Sequence, residues 1–170
     1  VDVHFCEQTI RAESGAQRKK MSQILVTDNG CGMSPELLNR CLTFAEGSGS
    51  EHGRIGTFGF GLPNSSISVC RRVEVYSRQK DSDWHYVYLD VDEILASASE
   101  YQAAKRLAQP PQLGIDLHGV STVIRWTTLD KCDAAHAKTL IRRADKLLGR
   151  LYRYFLSDQK IDLQLISRNL

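Results

Sequence analysis

Val26-Thr27-Asp28-Asn29-Gly30-Cys31-Gly32-Met33 is an apolar run that stops on one carboxylate and then on two glycines. Upstream, Gln23 to Thr27 is apolar and β-rich and reads as a strand. Downstream, Ser34-Pro35-Glu36-Leu37 carries a helix start: Ser as N-cap, Pro at the first helical position, Glu in the first turn. Asn-Gly after a strand is otherwise the commonest hairpin signal, but a helix start where the second strand should stand argues against a hairpin. A carboxylate at the buried end of a strand needs donors, because an unpaired buried charge is expensive. The exocyclic amine of a purine, with a water, supplies them. Gly30 and Gly32 allow backbone to approach the base with no Cβ in the way, and Met33 is a soft side chain that packs on a purine face.

A second glycine stretch follows at one helix's remove: Arg54-Ile55-Gly56-Thr57-Phe58-Gly59-Phe60-Gly61-Leu62, with Gly53 just ahead of it. Pro63-Asn64-Ser65-Ser66 then opens a second helix through Ile67 and Val69 to about Cys70. Glycines before a helix start permit consecutive N–H groups to converge on a phosphate, and the helix dipole favours the anion. The stretch is not a Walker A loop, since no Gly-Lys-Ser/Thr follows. It is not a dinucleotide fingerprint either, since Asn64 stands where a glycine is needed and no strand leads in. Thr57, Phe58, Phe60 and Leu62 are too apolar for a solvated linker. Glu46 to Gly53, rich in Gly, Ser, His and charge, reads as a mobile segment.

The remaining chain supplies the frame. Its 170 residues favour one domain with a real core, or one domain plus a fragment of its neighbour. The 42% apolar and 25% charged composition is that of an ordinary globular protein, and a net charge of +2 is too small to argue for nucleic acid or a membrane surface. No apolar run reaches the roughly 18 residues of a spanning helix. Val1, Val3 and Phe5 alternate as a half-buried strand, and Gly15 to Lys20 reads as a hairpin loop. Val73 to Tyr76 and Trp84 to Val91 read as strands, Glu93 to Ala108 as helix, and Gly119 to Thr127 as a central strand. Ala134 to Phe155 reads as one long helix with a stripe of Leu140, Leu147, Leu148, Leu151 and Phe155. Ile161, Leu163 and Leu165 alternate as a closing strand. Partly segregated helices and strands predict an α+β fold, a two-layer sandwich with helices packed on one face of a mixed, mostly antiparallel sheet. Five scattered cysteines, none at metal spacing, read as reduced thiols of a cytoplasmic protein. The five histidines are dispersed, so no metal site is assigned.

Taken together, the two glycine stretches resemble the boxes of the GHKL superfamily of ATPases, which includes Hsp90-type chaperones, type II topoisomerase ATPase domains, MutL-type repair proteins, sensor histidine kinases and MORC ATPases. Asp28-Asn29-Gly30-Cys31-Gly32-Met33 is similar to their Asp-x-Gly-x-Gly box. Ile55 to Leu62 is similar to the phosphate-lid box, in the style of Hsp90 and MORC proteins. Gly119-Val120-Ser121-Thr122-Val123-Ile124-Arg125-Trp126 resembles the late strand whose Thr reaches the adenine site beside the aspartate, with Ser121 and Thr122 both open for that place. The resemblance implies a Bergerat-type fold that binds ATP with Mg²⁺. Asp28 would accept from the adenine amine, Gly30, Gly32 and Met33 would line the base, and Gly56, Thr57, Phe58, Gly59, Phe60, Gly61 and Leu62 would cover the phosphates. Glu46 to Gly53 would be the lid.

The same resemblance places a Mg²⁺-binding Asn and a water-activating Glu on a helix ahead of the first strand. No segment here matches it, and Glu7 is no substitute, so no catalytic residue or metal ligand is assigned. The Lys that MORC-type loops carry after the last glycine falls on Pro63. The expectation is one GHKL-type domain over residues 1–170, truncated ahead of its first strand and cut from a larger protein. That protein would hydrolyse ATP, close its lid, form a homodimer, and meet nucleic acid, if at all, through other domains. Two alternatives stand beside it: a histidine-kinase-type phosphotransfer domain, and a non-catalytic interaction domain of the same fold.

Overall fold

Among the described residues seven strands form one sheet, because the apolar positions there fall on strand segments that can pair side by side. The computed structural model describes residues 1–12, 14–43, 61–97, 104–107, 109–132, 136–158 and 161–170. The strands are β1 (Asp2–Arg11), β2 (Gln17–Asp28), β3 (Arg72–Ser77), β4 (His85–Asp90), β5 (Lys105–Arg106), β6 (Thr122–Thr127) and β7 (Gln164–Asn169). Their order is β5-β4-β3-β6-β2-β1-β7. Each neighbouring pair is antiparallel except β1 and β7, which run parallel. The expected mixed, mostly antiparallel sheet is therefore present, with β2 and β6 near its middle.

Helices α1 (Pro35–Arg40), α2 (Gly61–Ile67) and α4 (Ala137–Leu151) cover one face. Leu38 and Leu42 pack with Val73, Val75 and Val87 there, while Ala137, Leu140, Ile141 and Ala144 close over Phe5, Met21 and Ile24. The other face is covered by Leu113, Ile115, Leu117 and Val120, packed against Cys6, Leu25, Tyr76, Trp84 and Val123. Both faces of β1 are thus occupied, and His4, Phe5, Cys6 and Glu7 are all buried in succession. The simple alternation expected of Val1, Val3 and Phe5 gives way for that reason.

Several boundaries differ from the sequence reading. The hairpin turn is shorter than Gly15 to Lys20, because pairing of β1 and β2 continues to Arg11 and Gln17. The segment expected as helix from Glu93 begins earlier, as α3 (Val91–Ser97). The Asp90 carboxylate accepts the N–H groups of Asp92 and Glu93 at 2.9 and 3.2 Å and caps it there. Lys105–Arg106 is strand, pairing with His85 and Tyr86. The long C-terminal helix ends at Leu151, Tyr152 leaves helical geometry, and α5 (Arg153–Ser157) follows. Its packed stripe is the buried Ala137 with the partly buried Leu140, Ile141 and Ala144; Leu147 and Leu151 are exposed. Glu7, on β1, accepts the Ala137 N–H at 2.8 Å and so caps α4 from a distance in sequence.

The face away from the helices carries a charged cluster. Glu74, 7% exposed, accepts from Arg72 Nε at 2.9 Å, from the Tyr76 hydroxyl at 2.9 Å and from Arg125 at 3.1 Å. Arg125 also donates to Gln23 at 2.7 Å, and the Arg72 guanidinium lies 4.2 Å above the Tyr88 ring. Burial alone would raise the Glu74 carboxyl. The hydrogen bonds from Arg72 and Tyr76 and the charges of Arg125 and Arg72 outweigh it and hold the group below its ordinary value of 4.5. A depressed carboxylate contributes stability that is fully present above that ordinary value and is lost as pH falls through the folded one. Glu74→Gln, which leaves two guanidinium groups under-paired, is expected to cost about 2–3 kcal/mol at pH 7. Urea unfolding at pH 7 and at pH 3 checks it: the gap from wild type should shrink in acid, because the stabilisation from a depressed carboxylate is lost as pH falls below its ordinary value.

Candidate functional site

Asp28, Gly30, Gly32, Met33, Ser121 and Thr122 meet at one end of the sheet. β2 terminates at Asp28, whose ladder partner is Thr122, and Thr122 is in turn paired with Ser77 on β3. Directly opposed residues share a face, so Asp28, Thr122 and Ser77 form a polar row across three strands. The row continues the apolar one formed by Val26, Ile124 and Val75, on the helix-covered side.

The register separates Ser121 from Thr122 and gives each a different contact. Ser121 stands just ahead of β6. Its N–H donates to the Asp28 carbonyl at 2.9 Å, and its hydroxyl lies 3.1 Å from both that carbonyl and Asp28 Oδ1. Thr122, 6% exposed, places its hydroxyl 3.0 Å from Ser77 Oγ. The Gly30 N–H donates to Asp28 Oδ1 at 2.9 Å, the local turn an aspartate makes with its own backbone two residues on. A Cβ on Gly30 would stand 3.0 Å from that oxygen. Asp28 Oδ1 is therefore engaged by the loop, while Oδ2 receives no proton from the described residues.

Gly32 is fixed by a close approach. Its φ is +69°, and a Cβ there would lie 1.8 Å from the Arg78 carbonyl oxygen. That contact lets the Met33 N–H reach Ser77 Oγ at 2.9 Å. Arg78 ties the same corner together from below. Its N–H donates to the Ser121 carbonyl at 2.9 Å, its Nε to the Val120 carbonyl at 3.2 Å, and its guanidinium lies 4.8 Å above the Trp84 ring.

The helix start at Ser34 takes the expected form: its Oγ accepts from the Leu37 N–H at 3.3 Å, with Pro35 opening α1. Met33 packs against the cluster of Leu38, Leu42, Val73 and Val75, and Leu62 packs against the same cluster. The ends of the two glycine stretches therefore border one apolar surface. Gly61 and Leu62 already belong to the first turn of α2, two residues ahead of the expected start at Pro63. Gly56, Thr57, Phe58, Gly59 and Phe60, and the lid segment Glu46 to Gly53, lie outside the described residues.

Sequence reasoning missed Ser77 and Arg78. The alternation Val73, Val75, Ser77 carried the signal, because its third inward position turns polar at the end where β2 also turns polar.

Among the described residues no group of three or more His, Cys, Asp or Glu side chains could hold a metal ion. All five cysteines are free thiols. Burial pushes Cys41 up to about 12 and Cys70 up to about 11, so neither is a nucleophile at neutral pH. Among the described residues no helix is long and apolar enough to cross a membrane.

A family model for the histidine kinase-, DNA gyrase B-, and HSP90-like ATPases matches residues 6–119. The match includes Asp28 and both glycine stretches and stops just short of Ser121 and Thr122. Among solved structures, the Aquifex aeolicus MutL ATPase domain complexed with ADP is similar to this chain, with a TM-score of 0.51 and 16% identity over 99% of this chain and 52% of that one. At that identity the likeness is one of fold, and the chain spans about half the length of that structure. No curated protein sequence matches the chain at a significant level.

Proposed function

The chain belongs to the histidine kinase-, DNA gyrase B- and HSP90-like ATPase family, and from that premise we propose that it binds ATP with the adenine base against the Asp28–Thr122 row. The observation that carries the proposal is the division of labour on the Asp28 carboxylate. Oδ1 is taken by the Gly30 N–H and the Ser121 hydroxyl, which leaves Oδ2 to accept from the exocyclic amine. Thr122 extends the acceptor row, and Met33 offers the base an apolar flank. Gly56 to Leu62 would cover the phosphates, with Glu46 to Gly53 as the closing segment.

ATP-driven closure of such a lid, and dimerisation in the whole protein, would follow if the closed form binds ATP better than the open one. Adenine fits the residues present, since an amine meets an acceptor-rich edge. Among the described residues no group of three or more His, Cys, Asp or Glu side chains could hold a metal ion, so neither a Mg²⁺ ligand nor a hydrolytic step is assigned to them. The free thiols favour a reducing, cytoplasmic setting. Any nucleic-acid contact is assigned to other parts of the whole protein.

Titration of ¹⁵N-labelled chain with ADP tests the placement. The amides of Gly30, Met33, Ser121 and Thr122 are expected to shift most among the described residues. Shifts confined to the Arg72–Glu74–Tyr88 face, with those four amides unmoved, would refute it.

A further inference from the structure

Ser77 is fully buried, and its single hydroxyl has three partners. The Met33 N–H can only donate to it, at 2.9 Å. The Ser121 carbonyl can only accept from it, at 3.2 Å. Thr122 Oγ1 lies 3.0 Å away and can do either. A serine hydroxyl has one proton and two lone pairs. If its proton goes to the Ser121 carbonyl and one lone pair takes the Met33 N–H, the second lone pair takes the Thr122 proton. That arrangement satisfies every group in the set, as buried polar groups require. Thr122 then keeps only lone pairs for anything bound beside it, and Asp28 Oδ2 likewise offers only lone pairs.

We propose that Ser77 is a specificity-determining positioning residue: by holding the Thr122 proton, it turns the base-facing row into an acceptor-only edge that admits a 6-amino purine and rejects a 6-oxo purine. The inference rests on the adenine site proposed above. A 6-amine has protons for such an edge. A 6-oxo group brings its lone pairs against the Thr122 oxygen, which has no proton to give it. Without the Ser77 hydroxyl the Thr122 proton is released, and Thr122 can donate to a 6-oxo group. Ser77 touches no ligand in this scheme; it acts through Thr122.

The test compares ATP with inosine triphosphate by calorimetry on four forms of the chain: wild type, Ser77→Ala, Thr122→Val and the double variant. Wild type is expected to prefer ATP, and Ser77→Ala to narrow that preference about tenfold, the size of one mismatched hydrogen bond. Thr122→Val, which keeps shape and β-branching but lacks the hydroxyl, should also narrow it. In the Thr122→Val background Ser77→Ala should then change the ratio no further. An unchanged ATP-to-inosine ratio in Ser77→Ala, with both affinities lowered alike, would overturn the proposal and leave Ser77 a structural residue. So would a further narrowing when Ser77→Ala is added to Thr122→Val, or a wild-type ratio in Thr122→Val, which stands even if Ser77→Ala fails to fold. Absence of ATP binding by wild type would instead overturn the adenine reading itself.

Discussion

Gly32→Ala is expected to destabilise the chain by about 3 kcal/mol or more and to abolish nucleotide binding, through two separate costs. A left-handed backbone on a residue with a Cβ costs about 1–2 kcal/mol. The added methyl would also stand 1.8 Å from the Arg78 carbonyl oxygen and 2.6 Å from its carbon, a clash with backbone that no side-chain rotation relieves. The loop must lift off the end of β3, and the Met33 N–H then loses Ser77. Gly119 provides the control: its φ is +72°, but nothing lies within 4 Å of where its Cβ would be. Gly119→Ala should therefore cost only the conformational part, about 1 kcal/mol. Urea unfolding of both variants separates the two costs. Equal midpoints would mean that the approach of Gly32 to Arg78 does not hold the corner.

Asp28→Asn is the second large effect, and it falls on binding rather than folding. The loop holds one carboxylate oxygen through Gly30 and Ser121, and an asparagine carbonyl can take both protons in the same place. Its amide nitrogen must then occupy the position of Oδ2. The substitution thus preserves the turn and replaces the acceptor offered to the ligand with a donor. A charge-assisted hydrogen bond contributes about 1.5–3 kcal/mol, and donor facing donor removes more. Affinity for ATP should fall by about 100-fold or beyond, with the unfolding midpoint nearly unchanged.

The local structure at the centre of the candidate site was legible in the sequence because its signal is local. Strand, carboxylate, glycines and helix start follow one another between Gln23 and Leu37, and each constrains the next. Ser121 and Thr122 could not be told apart, because a one-residue slip exchanges the faces of a strand. The register there is set by pairing to Asp28 and Ser77, from distant parts of the chain. Ser77 was invisible for the same reason: its role comes from lying opposite Thr122.

Elsewhere tertiary context overrode periodicity. β1 lost its alternation because both its faces are covered. α3 starts early because Asp90 caps it, a signal present in Asp90-Val91-Asp92-Glu93 but outranked in the reading by the strand pattern before it. The stripe on α4 shifted toward its N-terminal half because only that half lies over β1 and β2. β7 lies three residues later than Ile161 suggested, because its parallel pairing to β1 begins at Gln164 opposite Asp2.

That an adenine base sits on Asp28 is tested most directly by calorimetric titration of ATP into wild type and Asp28→Asn under the same buffer and salt, with unfolding midpoints measured alongside. The predicted result is a one-site heat for wild type, an affinity lower by about 100-fold or undetectable for Asp28→Asn, and midpoints that agree. Equal ATP affinity in the two proteins, or no heat from a folded wild type, would contradict it.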